Sequence, residues 1–314
     1  MVTLNVAEQG CKDLEASFLG CFFGLSFGDA LCAPYEGGVL ERLVWRLIGT
    51  TLKGKRRFTD DTQMSLDVAE SYLECGQVDQ SHLANVFAQH YRWSRGYGPG
   101  AAKMLKKIRR GAAWQSVNCS VFPQGSFGNG AAMRAPIVAM CCYGQADTLS
   151  DSITHVSEIT HAHPLAIEGA LLVATVTTAA LESVNPDKWL DRLQVVSQLP
   201  QYQAKLKIAQ QWLVAGERVS PKIVVAQLGN GIAASESCVT AIYLAVRFLN
   251  EPYLTLLDFI KRCGGDTDTI AAMSGAVWGA YHGLDALRTL RLDEIESSVF
   301  IRSSAEALAR SYHA

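Results

Sequence analysis

Two short acidic runs hold the residues of this chain best suited to chemistry. In FTDDTQ, Thr59, Asp60 and Asp61 precede a stretch with Met64, Leu66, Val68, Tyr72 and Leu73 on or near one side. In CGGDTDTIA, Asp266, Asp268 and Thr269 precede a run of small apolar residues. A helix start has unpaired N–H groups and a partial positive charge that favour Asp and Thr, so capping accounts for one acid in each run. Asp60 with Gln63 also has the form of a capping box. Hard cations such as Mg²⁺ take oxygen ligands, which carboxylates and hydroxyls supply together. Spacing alone leaves two independent caps and one shared metal site both open.

Helices must position these runs. Apolar residues recur at spacings of three and four through Glu15–Cys32, Thr62–Glu74, His82–Trp93, Ala101–Arg110, Ile167–Glu182, Trp189–Val196 and Ala204–Ala215. The pattern continues through Ser235–Leu249, Tyr253–Arg262, Ile270–Leu284 and Leu292–Ala314. Strand-like runs such as Lys222–Val225 are brief, and no Pro-, Gly- or Ser-rich linker divides the chain. The expectation is one all-α domain over residues 1–314. After Thr269, Ala271, Ala272, Ser274, Gly275, Ala276, Gly279 and Ala280 predict a helix packed closely against others.

Glycine-rich segments fall between helices at Ser94–Ala102 and Pro123–Arg134. They read either as tight turns or as loops offering backbone N–H groups to an anion. No Gly-Lys-Ser or Gly-Lys-Thr follows them, which excludes a Walker-type phosphate loop. The basic run Lys103–Arg110 reads as a solvated helix face or as a surface for a polyanion.

With 314 residues, 49% hydrophobic and 18% charged, the chain is long enough for a substantial core. A net charge of −2 gives no global attraction to nucleic acid. Nine cysteines without C-x-x-C spacing read as reduced thiols, hence a cytoplasmic protein. The first seventeen residues do not read as a secretory signal. Phe18–Pro34, broken by Asp29, reads as too short to cross a bilayer. No membrane and no nucleic-acid partner is expected, and a monomer is.

Five segments together resemble the ADP-ribosylglycohydrolase family: GLSFGDALCAPYEG, FTDDTQMSLDVAES, GSFGNGAAMRAPI, ITHAHPLAIEGA and CGGDTDTIAAMSGAVWGAYHG, spanning Gly24 to Gly283. The resemblance implies an all-α fold with two Mg²⁺ or Mn²⁺ ions in a cleft and removal of ADP-ribose from modified proteins or related conjugates. It implies Thr59, Asp60, Asp61, Asp266, Asp268 and Thr269 as metal ligands. Glu36, an exposed loop acid on its own reading, becomes the catalytic carboxylate beside the metal pair, with Asp266 as its competitor. Ser126, Phe127, Gly128 and Asn129 are implied around the diphosphate and distal ribose, with Gly98 as a further contact. His161, otherwise a cap or core hydrogen-bonder, is implied near the distal ribose or phosphate, and Phe122 beside the adenine. The GGDTDT form is similar to the serine- and polymer-cleaving animal branch, whereas the brevity and ITHAHP resemble bacterial members. Two other readings use the same residues: a non-catalytic ADP-ribose binder, and a dinuclear phosphohydrolase of a nucleotide diphosphate.

Overall fold

The computed structural model describes residues 13–312, so the reading of the chain start and the last two residues of the final helix lie outside them. Sixteen α-helices and six short 3-10 turns make up the described chain, with three isolated β-bridges and no strand. The all-α expectation holds.

Leu14–Cys32 and Thr267–His282 form the central pair. Both are buried nearly all round, as expected of helices without a polar face. They run antiparallel at backbone contact, because Gly20, Gly24 and Gly28 face Gly279, Gly275 and Ala271 in turn. A Cβ on Gly24 would stand 2.1 Å from the Gly275 carbonyl oxygen, and one on Gly279 2.0 Å from that of Gly20. Only glycine fits at such an approach. The end of the first helix is thereby fixed beside the start of the second, and the Thr267 hydroxyl donates to the Cys32 carbonyl at 3.0 Å. Gly275→Val should therefore cost about 3 kcal/mol or more, because backbone rather than a flexible side chain must give way. Urea denaturation measures this, and an unchanged midpoint would mean that the two helices do not touch there.

Most predicted helices are present with shifted ends. The Lys222–Val225 run lies inside the helix Pro221–Leu228, where Ser220 caps the free N–H of Ile223. The helix over His82–Trp93 stops at His90. The predicted C-terminal helix is broken: Leu292–Glu294 is a 3-10 turn, and Ser298–Arg310 follows a left-handed Ser297. The break has a cause. Glu294 and Glu296 pair through their backbones with Arg56, and the Glu296 carboxylate accepts from Phe58 N–H at 3.0 Å and from Arg95. This brace fixes the residues leading into Thr59.

Leu14–Tyr35 and Pro164–Leu181 are both long and apolar enough to cross a membrane, so length does not set the first apart as expected. What distinguishes them is packing, with 89% and 67% of their apolar windows buried inside the fold. The helices Val39–Ile48, Trp114–Val121, Ala135–Cys141 and Ala146–Glu158 were not foreseen in the sequence.

Candidate active site

The two acidic runs meet. Asp60 opens the helix Asp60–Cys75 and Asp266 precedes Thr267–His282, and both starts face one cleft. Glu36 follows the first central helix to the same cleft wall, together with Asp60, Asp61, Asp266, Asp268 and Thr269. Glu36, Asp266 and Asp268 bring carboxylate oxygens within 4.8 Å of one another, and so do Asp29, Asp61 and Asp268.

Asp29 is the acid that sequence reasoning read only as an interruption. It is fully buried and accepts from Thr59 N–H at 2.9 Å, Thr62 N–H at 3.1 Å and the Thr62 hydroxyl at 2.6 Å. Asp29 thus anchors the start of the acidic helix from another helix. Thr59 is the N-cap, and its hydroxyl donates to Asp61 Oδ2 at 2.8 Å from behind the cleft wall. The Asp60–Gln63 capping box does not form, since Gln63 donates its amide to Asp67. Leu73 is exposed rather than on the buried side.

Burial pushes every one of these Asp carboxyls upward, and their mutual repulsion adds to it in Asp60, Asp61 and Asp268. Asp29 rises to about 6, with hydrogen bonds from Thr62 and Thr59 opposing. Asp60 rises to about 8 through burial and then the charge of Asp29. Asp61 and Asp268 are raised well above the carboxylate range, and Asp266 is raised with Asn129 opposing. Such a cluster holds either protons or cations. Asp61 Oδ1 is buried without a hydrogen-bond partner while its Oδ2 accepts from Thr59 and, at 3.4 Å, from Thr269. An orphaned carboxylate oxygen among hard oxygen donors fits a hard dication.

The rest of the cleft is neutral. Gly98, Phe122, Ser126, Gly128, Asn129 and His161 line it. Asn129 joins the two parts, donating to Asp266 Oδ2 at 2.5 Å and to the Ser237 hydroxyl at 3.0 Å. Phe122 lies on the backbone of Gly100, where a Cβ would meet the ring at 2.3 Å. Phe127 is a correction: its ring is exposed and edge-on to His163, outside the lining to which Ser126, Gly128 and Asn129 belong. Its carbonyl accepts from Ala234 instead. Two backbone donors of the loop are also taken, Gly128 N–H by Ser126 Oγ and Asn129 N–H by the Ile232 carbonyl. His163 is a helix cap accepting from Leu165 N–H.

Gly128 has ordinary dihedral angles, and a Cβ there would approach His161 Nε2 at 3.3 Å. On the expectation that this loop embraces the diphosphate, Gly128→Val should weaken ADP-ribose binding about tenfold with little loss of stability, and calorimetry alongside a thermal melt checks both. Unchanged affinity would remove this loop from the binding surface. The basic run follows the cleft-lining residues Gly98–Ala101 along one helix, with Lys106 and Arg109 over the Tyr91 ring and Lys107 donating to Ser120.

This helical fold has solved counterparts. The chain superposes on an ADP-ribosylglycohydrolase-related protein complex with a TM-score of 0.71 at 21% identity, covering 96% of this chain and 99% of that one. The fold is therefore of the ADP-ribosylglycohydrolase class. The family profile described as ADP-ribosylglycohydrolase matches residues 11–314. Mouse ADP-ribosylhydrolase ARH3 is 31% identical over 85% of this chain and 84% of its own length. The Xenopus tropicalis ARH3 is 32% identical over 85% and 87%, and the Escherichia coli protein YegU 27% over 86% and 88%. The chain belongs to the ADP-ribosylglycohydrolase family.

Proposed function

We propose that this protein is a divalent-metal-dependent hydrolase that removes ADP-ribose from a modified protein or related conjugate by cleaving the bond at C1 of the distal ribose. The observation that carries the reading is the convergence of Glu36 and both acidic helix starts on one cleft with the neutral Ser126–Gly130 loop. Family membership and ADP-ribosylhydrolase relatives near 30% identity support it.

Asp60, Asp61, Asp266, Asp268 and Thr269, with Thr59 behind them, would hold two Mg²⁺ or Mn²⁺ ions. When bound, such ions neutralise the acids and polarise water and ribose hydroxyls. Glu36 moves the proton, taking it from water or giving it to the leaving group as positive charge develops on the ribose. Asp266, which accepts from the Asn129 amide, is the competitor of Glu36 for that proton. Ser126, Gly128 and His161 orient the diphosphate side, and Phe122 offers a ring face to the base. The protein is proposed to work as a cytoplasmic monomer, consistent with free thiols at all eight described cysteines.

The linkage class is read by one panel of arginine-linked, serine-linked, O-acetyl and polymeric ADP-ribose substrates in magnesium buffer. The proposal requires release from at least one. Tight ADP-ribose binding with no release from any would make the protein a binder instead.

A further inference from the structure

Behind the neutral part of the cleft lies a buried cation that the proposed chemistry does not use. Arg134 is fully buried. Its guanidinium donates through Nη1 to the Gly130 carbonyl at 2.6 Å, and through Nη2 to the Val156 carbonyl at 2.9 Å and to Thr160 Oγ1 at 2.8 Å. Thr160 is also fully buried, and its hydroxyl stands 2.8 Å from His161 Nδ1. His161 in turn lies against the glycine loop: a Cβ on Gly130 would meet the ring at 2.5 Å.

Donor and acceptor counting fixes the protons. Arg134 can only donate, so Thr160 Oγ1 must accept from it. The Thr160 hydroxyl then has its own proton to place, and His161 Nδ1 is its one remaining partner among the described contacts. Were Nδ1 protonated, the Thr160 hydroxyl would face a donor on each side and its proton would be left buried without an acceptor. Nδ1 is therefore an acceptor, and the imidazole proton sits on Nε2.

The geometry points to Arg134 and Thr160 as positioning residues that hold His161 in its neutral Nε2–H tautomer, a fixed single donor aimed into the cleft at a phosphoryl or hydroxyl oxygen. Burial, and then the Arg134 charge, push the His161 imidazole down to about 3, which agrees with a ring that stays neutral. Only the identity of the ligand oxygen rests on the proposed function. The tautomer belongs to the free protein.

Long-range ¹H–¹⁵N correlation on protein labelled at its seven histidines reads the tautomer directly, with His161→Gln identifying the signal. At pH 7 the expected state is Nε2–H, with Nδ1 unprotonated. An Nδ1–H tautomer or an imidazolium would overturn the assignment whether or not the protein binds ADP-ribose. Thr160→Val, which keeps the shape but loses the hydroxyl, should release the tautomer into a mixture and weaken ADP-ribose binding about tenfold. Thr160→Ser should restore both. A Thr160→Val protein with the parent tautomer and parent affinity would contradict the relay.

Discussion

Removing divalent cations should abolish turnover, and magnesium or manganese should restore it. The expected loss is large because the acids are buried among one another, and Asp61 Oδ1 has no protein partner to replace an ion. Several kcal/mol of transition-state stabilisation corresponds to a fall on the order of 10³-fold or more. Dialysis against a chelator followed by readdition is the measurement, and full activity in metal-free protein would end the metal reading. The chelated protein carries a second signature. Asp29 at about 6 and Asp60 at about 8 lie above the ordinary value of 3.8 that the unfolded chain restores. The folded state therefore binds more protons between about pH 4 and pH 8, and stability falls as pH rises through that window. Melting temperatures of metal-free protein should drop from pH 5 to pH 8. Magnesium should raise them more at pH 8, where the acids give up their protons to it more readily.

Replacing Glu36 by Gln should lower the hydrolytic rate by roughly 10²- to 10⁴-fold while ADP-ribose binding largely survives. Glutamine keeps the volume and some hydrogen bonding but cannot carry the proton. Asp268→Asn should behave differently. Asp268 belongs to both carboxylate trios, so its loss should disturb cation binding, affinity and turnover together. Single-turnover hydrolysis, metal content and ADP-ribose affinity measured on both variants separate the roles. A Glu36→Gln enzyme working at the parent rate would make Glu36 a bystander and transfer proton movement to Asp266.

The acids at Asp60, Asp61, Asp266 and Asp268 were legible because a helix start announces itself locally, through Thr, Asp and the apolar periodicity that follows. Small residues after Thr269 likewise announced close packing, which the Gly24–Gly275 contact explains. Asp29 was not legible as a site residue. It lies in an apolar run, and its partners Thr59 and Thr62 come from a helix thirty or more positions away in sequence. Arg134 was hidden in the same way inside GAAMRAPIVAM, its partners lying at Val156 and Thr160. Ala135–Cys141 escaped notice because every residue in it is buried, leaving no polar face to set a period. Phe127 misled because a loop's composition does not say which of its side chains face inward.

The proposed function requires cleavage at the ribose rather than at phosphorus. The most direct test is to identify the products when the preferred conjugate is incubated with the magnesium-loaded enzyme and resolved by chromatography with mass detection. Intact ADP-ribose should accumulate in step with unmodified acceptor, with no AMP. AMP together with an acceptor still carrying phosphoribose would show P–O cleavage and contradict the glycosidic assignment.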